Sequence, residues 1–206
     1  MSDELVFYTN PRSRGRIARW MLEEVGAPYR TEILDYGTTM KAPEFLAINP
    51  LGKVPALVHG GQTITECAAI CAYLADAFPE AGLAPPPAER GRYHRWMYFA
   101  AGPLEAAISI RTLGVEVPTE KRGFVGWGSF QSMMDALESA VAGDGFIAGD
   151  RFSAADVYVG SQIGFGLQFG TLERRPAFEA YWSRIADREA RARASQLDDA
   201  AMPAQH

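Results

Sequence analysis

Apolar positions along the chain follow two rhythms that change over near residue 80. In the first stretch, short apolar runs alternate with helical spacings. Leu5 to Tyr8 is a strand-like run ending at Asn10-Pro11, after which Ile17, Trp20, Met21 and Val25 recur at helical spacing until Gly26-Ala27-Pro28 stops the helix. Arg30 to Leu34 reads as a second strand and Pro43 to Ile48 as a short helix. Ala56 to His59 and Gln62 to Thr65 flank Gly60-Gly61, the dipeptide a tight hairpin turn requires because both positions need positive φ. A helix from Glu66 to Phe78, with Ile70, Leu74 and Phe78 on one face, closes the stretch. The order β-α-β-α-β-β-α predicts a small sheet with both parallel and antiparallel pairs.

Pro79, Pro85, Pro86 and Pro87 then exclude regular ladders, so residues 81–89 read as a stiff linker between a domain at 1–80 and another at 90–206. Beyond Arg90 only helical spacings remain: Arg90 to Leu113 with a kink at Pro103, Lys121 to Val141, Ala154 to Phe169, and Pro176 to about Arg193. Asp198 to His206 reads as a frayed tail. The expected fold is an α/β domain followed by an all-helical one.

A chain of 206 residues that is 48% hydrophobic can fill two modest cores. Its formal charge of -5 and pI near 5.3 disfavour nucleic acid and anionic membranes as partners. No apolar run reaches the ~18 residues of a membrane span, and Met1 to Val6 is acidic where a signal peptide is basic, so the expected location is cytoplasmic. Cys67 and Cys71 share one helix face without a Cys-x-x-Cys pattern, which speaks against a disulfide or dithiol site. His59, His94 and His206 lack metal-ligand spacing, and no metal is expected.

Asn49-Pro50-Leu51-Gly52-Lys53-Val54-Pro55 is the most informative stretch. A proline entering a strand from a loop can be cis and turn the preceding residue's amide and carbonyl outward, where an extended peptide pairs with Val54. Eleven residues on, Glu66-Cys67 opens a helix, whose free amides attract a carboxylate. In these elements the sequence resembles the cytosolic glutathione transferase superfamily, in its bacterial theta-, beta- or nu-like classes, over nearly its whole length. The resemblance implies a thioredoxin-like first domain that binds glutathione as co-substrate and a helical second domain that completes the site for an electrophile. It implies that Val54 pairs with the cysteinyl main chain, Lys53 holds the glycyl end, and Glu66 with Cys67 the γ-glutamyl end. Cys67 departs from the family's Ser or Thr, and a thiol donates more weakly than a hydroxyl. A homodimer is likewise implied.

Phe146 to Asp156 carries the second part of the resemblance; Ser153 followed by Asp156 reads as a helix cap. Gly160 and Gly164 read as close packing of a buried helix. For the chemistry, glutathione's thiol must be held as thiolate, and a hydroxyl at a helix N-terminus supplies both a donor and positive potential. Ser13 stands there, matching the catalytic Ser of theta-like or Cys of beta-class members; Tyr8 is the alternative, resembling the catalytic Tyr of the pi class. Simple helix capping is the other reading of Ser13. Arg12, Arg14, Arg16 and Arg19 crowd the same helix start against its dipole; Arg19 is expected to pair with Glu23, and Arg12 or Arg14 to face the thiolate or a substrate anion. Trp96, Met97, Phe99, Arg111, Trp127 and Phe165 are candidates for the apolar second-substrate pocket. The expected function is a glutathione transferase acting on an electrophile or peroxide. Alternatives are a non-enzymatic binding or regulatory protein, or a glutathione-dependent disulfide reductase or isomerase. The absence of Cys near position 13 and of a double-Ser signature disfavours the last.

Overall fold

The computed structural model describes residues 4–202. Its contacts divide the chain into two compact units, one from the N-terminal segment up to Leu83 joined by the chain from Asp187 onward, the other Ala84–Ala186.

The first unit is built on a four-stranded sheet in the order β2-β1-β3-β4. Strand β1 (Leu5–Thr9) pairs parallel with β2 (Arg30–Ile33) and antiparallel with β3 (Ala56–His59), which pairs antiparallel with β4 (Gln62–Thr65). The hairpin turn is Gly60-Gly61, both at positive φ (57° and 80°). Side chains of β1 alternate between faces: Phe7 lies under the Arg19 guanidinium of helix α1 (Gly15–Val25), whereas Tyr8 meets Phe45 of the short helix α2 (Pro43–Leu46). Met40, Phe45 and Ala56 form the core of the Tyr8 face. Helix α1 ends at Gly26, whose left-handed φ of 73° lets its amide reach Leu22 O, and α3 (Cys67–Ala77) packs beside α1. The β-α-β-α-β-β-α order expected above is present.

Two expectations are corrected in this unit. The presumed tail from Asp198 begins inside helix α9 (Glu189–Ala200), which packs on α1, and Asp198 is fully buried; residues 203–206 lie outside the described ones. The single helix expected from Pro176 to Arg193 is broken at Arg188, which is extended (φ -64°, ψ 135°), so α8 ends at Ala186 and α9 belongs with the first unit. Arg188 holds this break by donating to both carboxylate oxygens of Glu24, at 2.6 and 2.7 Å.

The second unit is helical. Its path from α4 (Gly91–Phe99) to α5 (Glu105–Thr112) is continuous through a π-helical turn, Ala100–Leu104, that accommodates Pro103, the position where a kink was expected. The helix expected from Lys121 starts only at Phe130. Gly123, Gly126 and Gly128 interrupt the segment, and the Ser129 hydroxyl caps α6 (Phe130–Val141) by accepting the Ser132 amide at 3.0 Å. Helix α7 (Ala154–Phe169) is buried almost all round. Its Gly160 and Gly164 lie against Ile185 and Trp182 of α8 (Pro176–Ala186), so near that a Cβ would come within 2.2 and 2.6 Å of those side chains. Asp156 accepts from the Ile147 amide, the Ser153 amide and hydroxyl, and the Tyr181 hydroxyl, at 2.7–3.0 Å. Burial pushes its carboxyl above the ordinary value against those four bonds, and the network ties α7 to α8 and to the preceding loop.

Candidate functional site

The loop from β1 to α1 is organised by Asn10. Its side chain donates to Leu34 O (2.8 Å) and accepts the Arg12 amide (2.9 Å), while its carbonyl accepts the Ser13 amide (3.0 Å) and hydroxyl (2.7 Å). The Ser13 oxygen in turn accepts the Gly15 amide at 2.9 Å. Ser13 therefore caps the helix start, and its one hydroxyl proton is directed to Asn10. Gly15 is required here: a Cβ would stand 1.9 Å from Thr9 Oγ1 and 2.9 Å from Ser13 Oγ. Ser13 thus shares the Thr9 side of the strand end, and Tyr8, half-buried against Phe45, faces the other way. The Thr9 hydroxyl is fully buried and has no hydrogen-bond partner among the described residues.

The loop before β3 is held by Asn49 and Lys41. Asn49 donates to Lys53 O (2.8 Å), and Lys41 Nζ donates to the carbonyls of Leu51 and Gly52, both at 2.9 Å. Gly52 sits at φ 57°, and a Cβ there would lie 2.7 Å from Met40 O. The Val54–Pro55 peptide is cis. Val54 packs its side chain on the Met40 core, while its amide and carbonyl have no hydrogen-bond partner among the described residues. Lys53 is exposed and makes no ion pair among the described residues. Nothing in the pattern around Lys41 marked its part in this loop.

Glu66 enters α3 with φ 66° and ψ 118°, the only non-glycine residue at positive φ among the described ones. Such a conformation stores ~1–3 kcal/mol of strain and collects at ligand sites. The following thiol, Cys67 Sγ, donates to Arg14 O at 3.7 Å. This contact sets the starts of α1 and α3 beside each other and brings the Ser13 loop and the Glu66-Cys67 step into one neighbourhood. Cys71 is buried below; its hydrogen bond to Cys67 and its burial push its thiol well above the usual range, consistent with a packing role.

The arginine crowding at α1 has an electrostatic answer in α9. Arg19 does not pair with Glu23 as expected. It is buried and binds Asp198 at 2.8 Å, with Tyr29 and Thr31 as further acceptors. Arg16 binds Asp199 at 2.6 Å. Glu23 instead accepts the Tyr29 hydroxyl at 2.6 Å. Arg12 remains exposed beside Ser13. In the helical unit, Trp96 and Met97 are core, Phe99 packs edge-on to Trp96, and Phe165 lies against Phe169. Of the aromatic-rich set read from sequence, Arg111 and Trp127 share the wall of one cavity.

A family model described as "Glutathione S-transferase, N-terminal domain" matches residues 13–77, and one described as "Glutathione S-transferase, C-terminal domain" matches residues 110–165. A glutathione transferase structure from Methylococcus capsulatus strain Bath is 30% identical, with a TM-score of 0.78 over 95% of this chain and 99% of that one. A sphingomonad glutathione S-transferase, solved as a complex with glutathione, is 29% identical with a TM-score of 0.75 over 94% and 98% of the two chains. The curated relative "Glutathione S-transferase GST-4.5" of Xanthomonas campestris pv. campestris is 34% identical over 99 residues, 47% of this chain and 48% of the relative's length.

Proposed function

The chain belongs to the glutathione S-transferase superfamily, and on that premise we propose that it is a glutathione transferase activating the glutathione thiol for attack on an electrophilic small molecule or peroxide. The observation that carries the reading is the meeting of two helix starts through Cys67 Sγ and Arg14 O, 3.7 Å apart. Anion-seeking amides of both helices then serve one ligand.

The γ-glutamyl end is assigned to Glu66 and the Cys67 amide. Since the Cys67 thiol is already given to Arg14 O, the main chain rather than the side chain is its contribution. The cysteinyl main chain is assigned to the unpaired amide and carbonyl of Val54, and the glycyl carboxylate to the free ammonium of Lys53. Ser13 is assigned to the sulfur, with Arg12 alongside. A thiol of ordinary pKa near ~8.5 is mostly protonated at neutral pH. A hydroxyl donor backed by the α1 dipole favours the thiolate, the thiol proton passing to solvent. The sulfur then bonds to carbon as a leaving group departs with its electron pair, or adds to the β-carbon of an enone whose enolate takes up a proton. With a peroxide it bonds to oxygen as the O–O bond breaks and the alcohol leaves, a second glutathione converting the sulfenic acid to disulfide with loss of water. To serve sulfur, the Ser13 hydroxyl turns away from Asn10 O. A homodimer in the cytoplasm belongs to the same reading.

That hydroxyl also supports a second reading. With its proton directed to Asn10 O at 2.7 Å and its oxygen on the Gly15 amide, Ser13 acts as a cap, as in a protein that binds glutathione without turning it over. Calorimetry with glutathione, followed by turnover assays on a panel of aryl halides, enones and hydroperoxides, separates the cases. One site per chain with turnover is expected. Binding without turnover favours the second reading, and no heat at millimolar glutathione removes both.

A further inference from the structure

Thr9 closes β1, and the alternation of the strand turns its side chain, like that of Phe7, to the face that α1 covers, opposite Tyr8. Its carbonyl accepts the Leu34 amide at 2.8 Å. Its hydroxyl has no exposure and no hydrogen-bond partner among the described residues. Valine has nearly the same shape, suits a strand, and would leave no polar atom unpaired in that place. A buried hydroxyl kept there instead calls for a partner.

Ser13 is at hand. The point that a Cβ on Gly15 would take lies 1.9 Å from Thr9 Oγ1 and 2.9 Å from Ser13 Oγ, so the two hydroxyls border the one space where Gly15 has no side chain. A serine oxygen carries two lone pairs and one proton. One lone pair of Ser13 Oγ takes the Gly15 amide at 2.9 Å and the proton goes to Asn10 O at 2.7 Å, which leaves the other lone pair. When that proton turns to sulfur, Asn10 O keeps the Ser13 amide at 3.0 Å and is not orphaned. A donor on the remaining lone pair draws electron density from Ser13 Oγ and makes its O–H a stronger donor to an anion. We propose that Thr9 is a positioning residue for the thiolate: its hydroxyl donates to Ser13 Oγ while Ser13 donates to the glutathione sulfur, a chain of two hydroxyls closed over Gly15. A small turn of the Ser13 side chain, permitted by its release from Asn10 O, closes the gap. Thr9 is fully buried and acts through Ser13 alone. The inference rests on the proposed function, since it needs Ser13 to serve sulfur.

The test follows, on the whole chain, the pH at which bound glutathione shows thiolate absorbance, together with kcat and the KM for glutathione. Thr9→Val should raise the pKa of the bound thiol by roughly half a unit and lower kcat about two- to fivefold. The KM for glutathione should stay where it is and the melting temperature should not fall. Thr9→Ala, which removes the hydroxyl without a methyl in its place, should shift the thiol pKa as Thr9→Val does, and Thr9→Ser should restore it. In a Ser13→Ala background Thr9→Val should add nothing. A purely structural Thr9 would move the melting temperature and leave the thiol pKa untouched. A thiol pKa that neither Thr9→Val nor Thr9→Ala shifts, or a shift as large in the Ser13→Ala background, would overturn the proposal, while the proposed function would still stand on the effect of Ser13→Ala. Should Ser13→Ala itself move neither the thiol pKa nor turnover, the Ser13 assignment fails and the role of Thr9 with it.

Discussion

Ser13 caps α1 and, in the proposed function, also donates to sulfur, two tasks that substitution can separate. As a cap it accepts the Gly15 amide, and losing it by Ser13→Ala should lower stability by ~0.5–2 kcal/mol. As sulfur's donor, its loss should also raise the pKa of bound glutathione thiol and slow turnover roughly ten- to over a hundredfold, with glutathione affinity little changed. Thiolate absorbance against pH checks the first effect and steady-state kinetics the second; Tyr8→Phe should move neither. If Ser13→Ala costs stability alone, the residue is only a cap. Glu66 offers a complementary contrast, since its backbone is strained and it makes no side-chain cap bond. Glu66→Gly should therefore raise the melting temperature by a few degrees while weakening glutathione binding tenfold or more. A variant that melts lower would show that Glu66 is not strained. In the proposed site, Asn49 to Pro55 and Glu66-Cys67 stood out in the sequence because proline, glycine and helix starts announce main-chain geometry, such as the cis Val54–Pro55 peptide and the positive φ of Glu66. The direction of the Ser13 proton and the Cys67 bond to Arg14 O depend on contacts up to 53 positions apart, which no local pattern encodes.

Between α1 and α9 the buried pair Arg19–Asp198 decides more than any surface charge. Both side chains are nearly inaccessible, at 4% and 1% exposure, and the second Asp198 oxygen has no hydrogen-bond partner among the described residues. Burial pushes the Asp198 carboxyl up, against the pull of Arg19. Removing one partner by Asp198→Asn should cost ~3–5 kcal/mol, whereas Arg19→Met with Asp198→Leu should recover most of it, because no uncompensated charge is left. Chemical denaturation of the single and double variants measures the recovery, and additive losses would contradict the pairing. Neighbouring Tyr29 has its phenol pushed up to about 12, first by burial and then by its bond to Glu23. An unfolded tyrosine ionises near ~10, so over roughly pH 10 to 12 the unfolded chain releases a proton that the folded chain keeps, and stability falls as pH rises. Tyr29→Phe should flatten that alkaline slope in thermal melts; an unchanged slope would refute the assignment. Elements with local punctuation matched the sequence reading, as with the Gly60-Gly61 hairpin and α7 between Ser153 and Gly170. The break at Arg188 has neither proline nor glycine. Its cause is the bond to Glu24, 164 positions away.

At the scale of the whole chain, the first unit is discontinuous, drawing on the chain up to Leu83 and again from Asp187. The units divide between Leu83 and Ala84, inside the proline stretch, but helical spacing alone could not assign α9 to a sheet-containing unit. The assignment rests on α9's acidic pair meeting α1's basic one, Asp198 on Arg19 and Asp199 on Arg16. Apart from Asp198, the residues α9 buries are small, Ala190 and Ala194, so its hold on the unit is more electrostatic than apolar. A chain ending at Ala186 should accordingly lose both ion pairs and leave Arg19, against Phe7 and Tyr29, without its counter-charge. At ~3–5 kcal/mol for an uncompensated charge and ~2–4 °C per kcal/mol, its melting temperature should fall by roughly 6–20 °C. Glutathione retention should weaken with it, since Arg16 and Arg19 lie in the helix whose start carries Ser13. Introducing Arg19→Leu into the truncated chain should restore part of the loss, which a purely apolar role for α9 would not allow. A truncated chain that melts with the full-length one would show that α9 is not integral to the first unit, and one that Arg19→Leu fails to improve would place its contribution in packing instead.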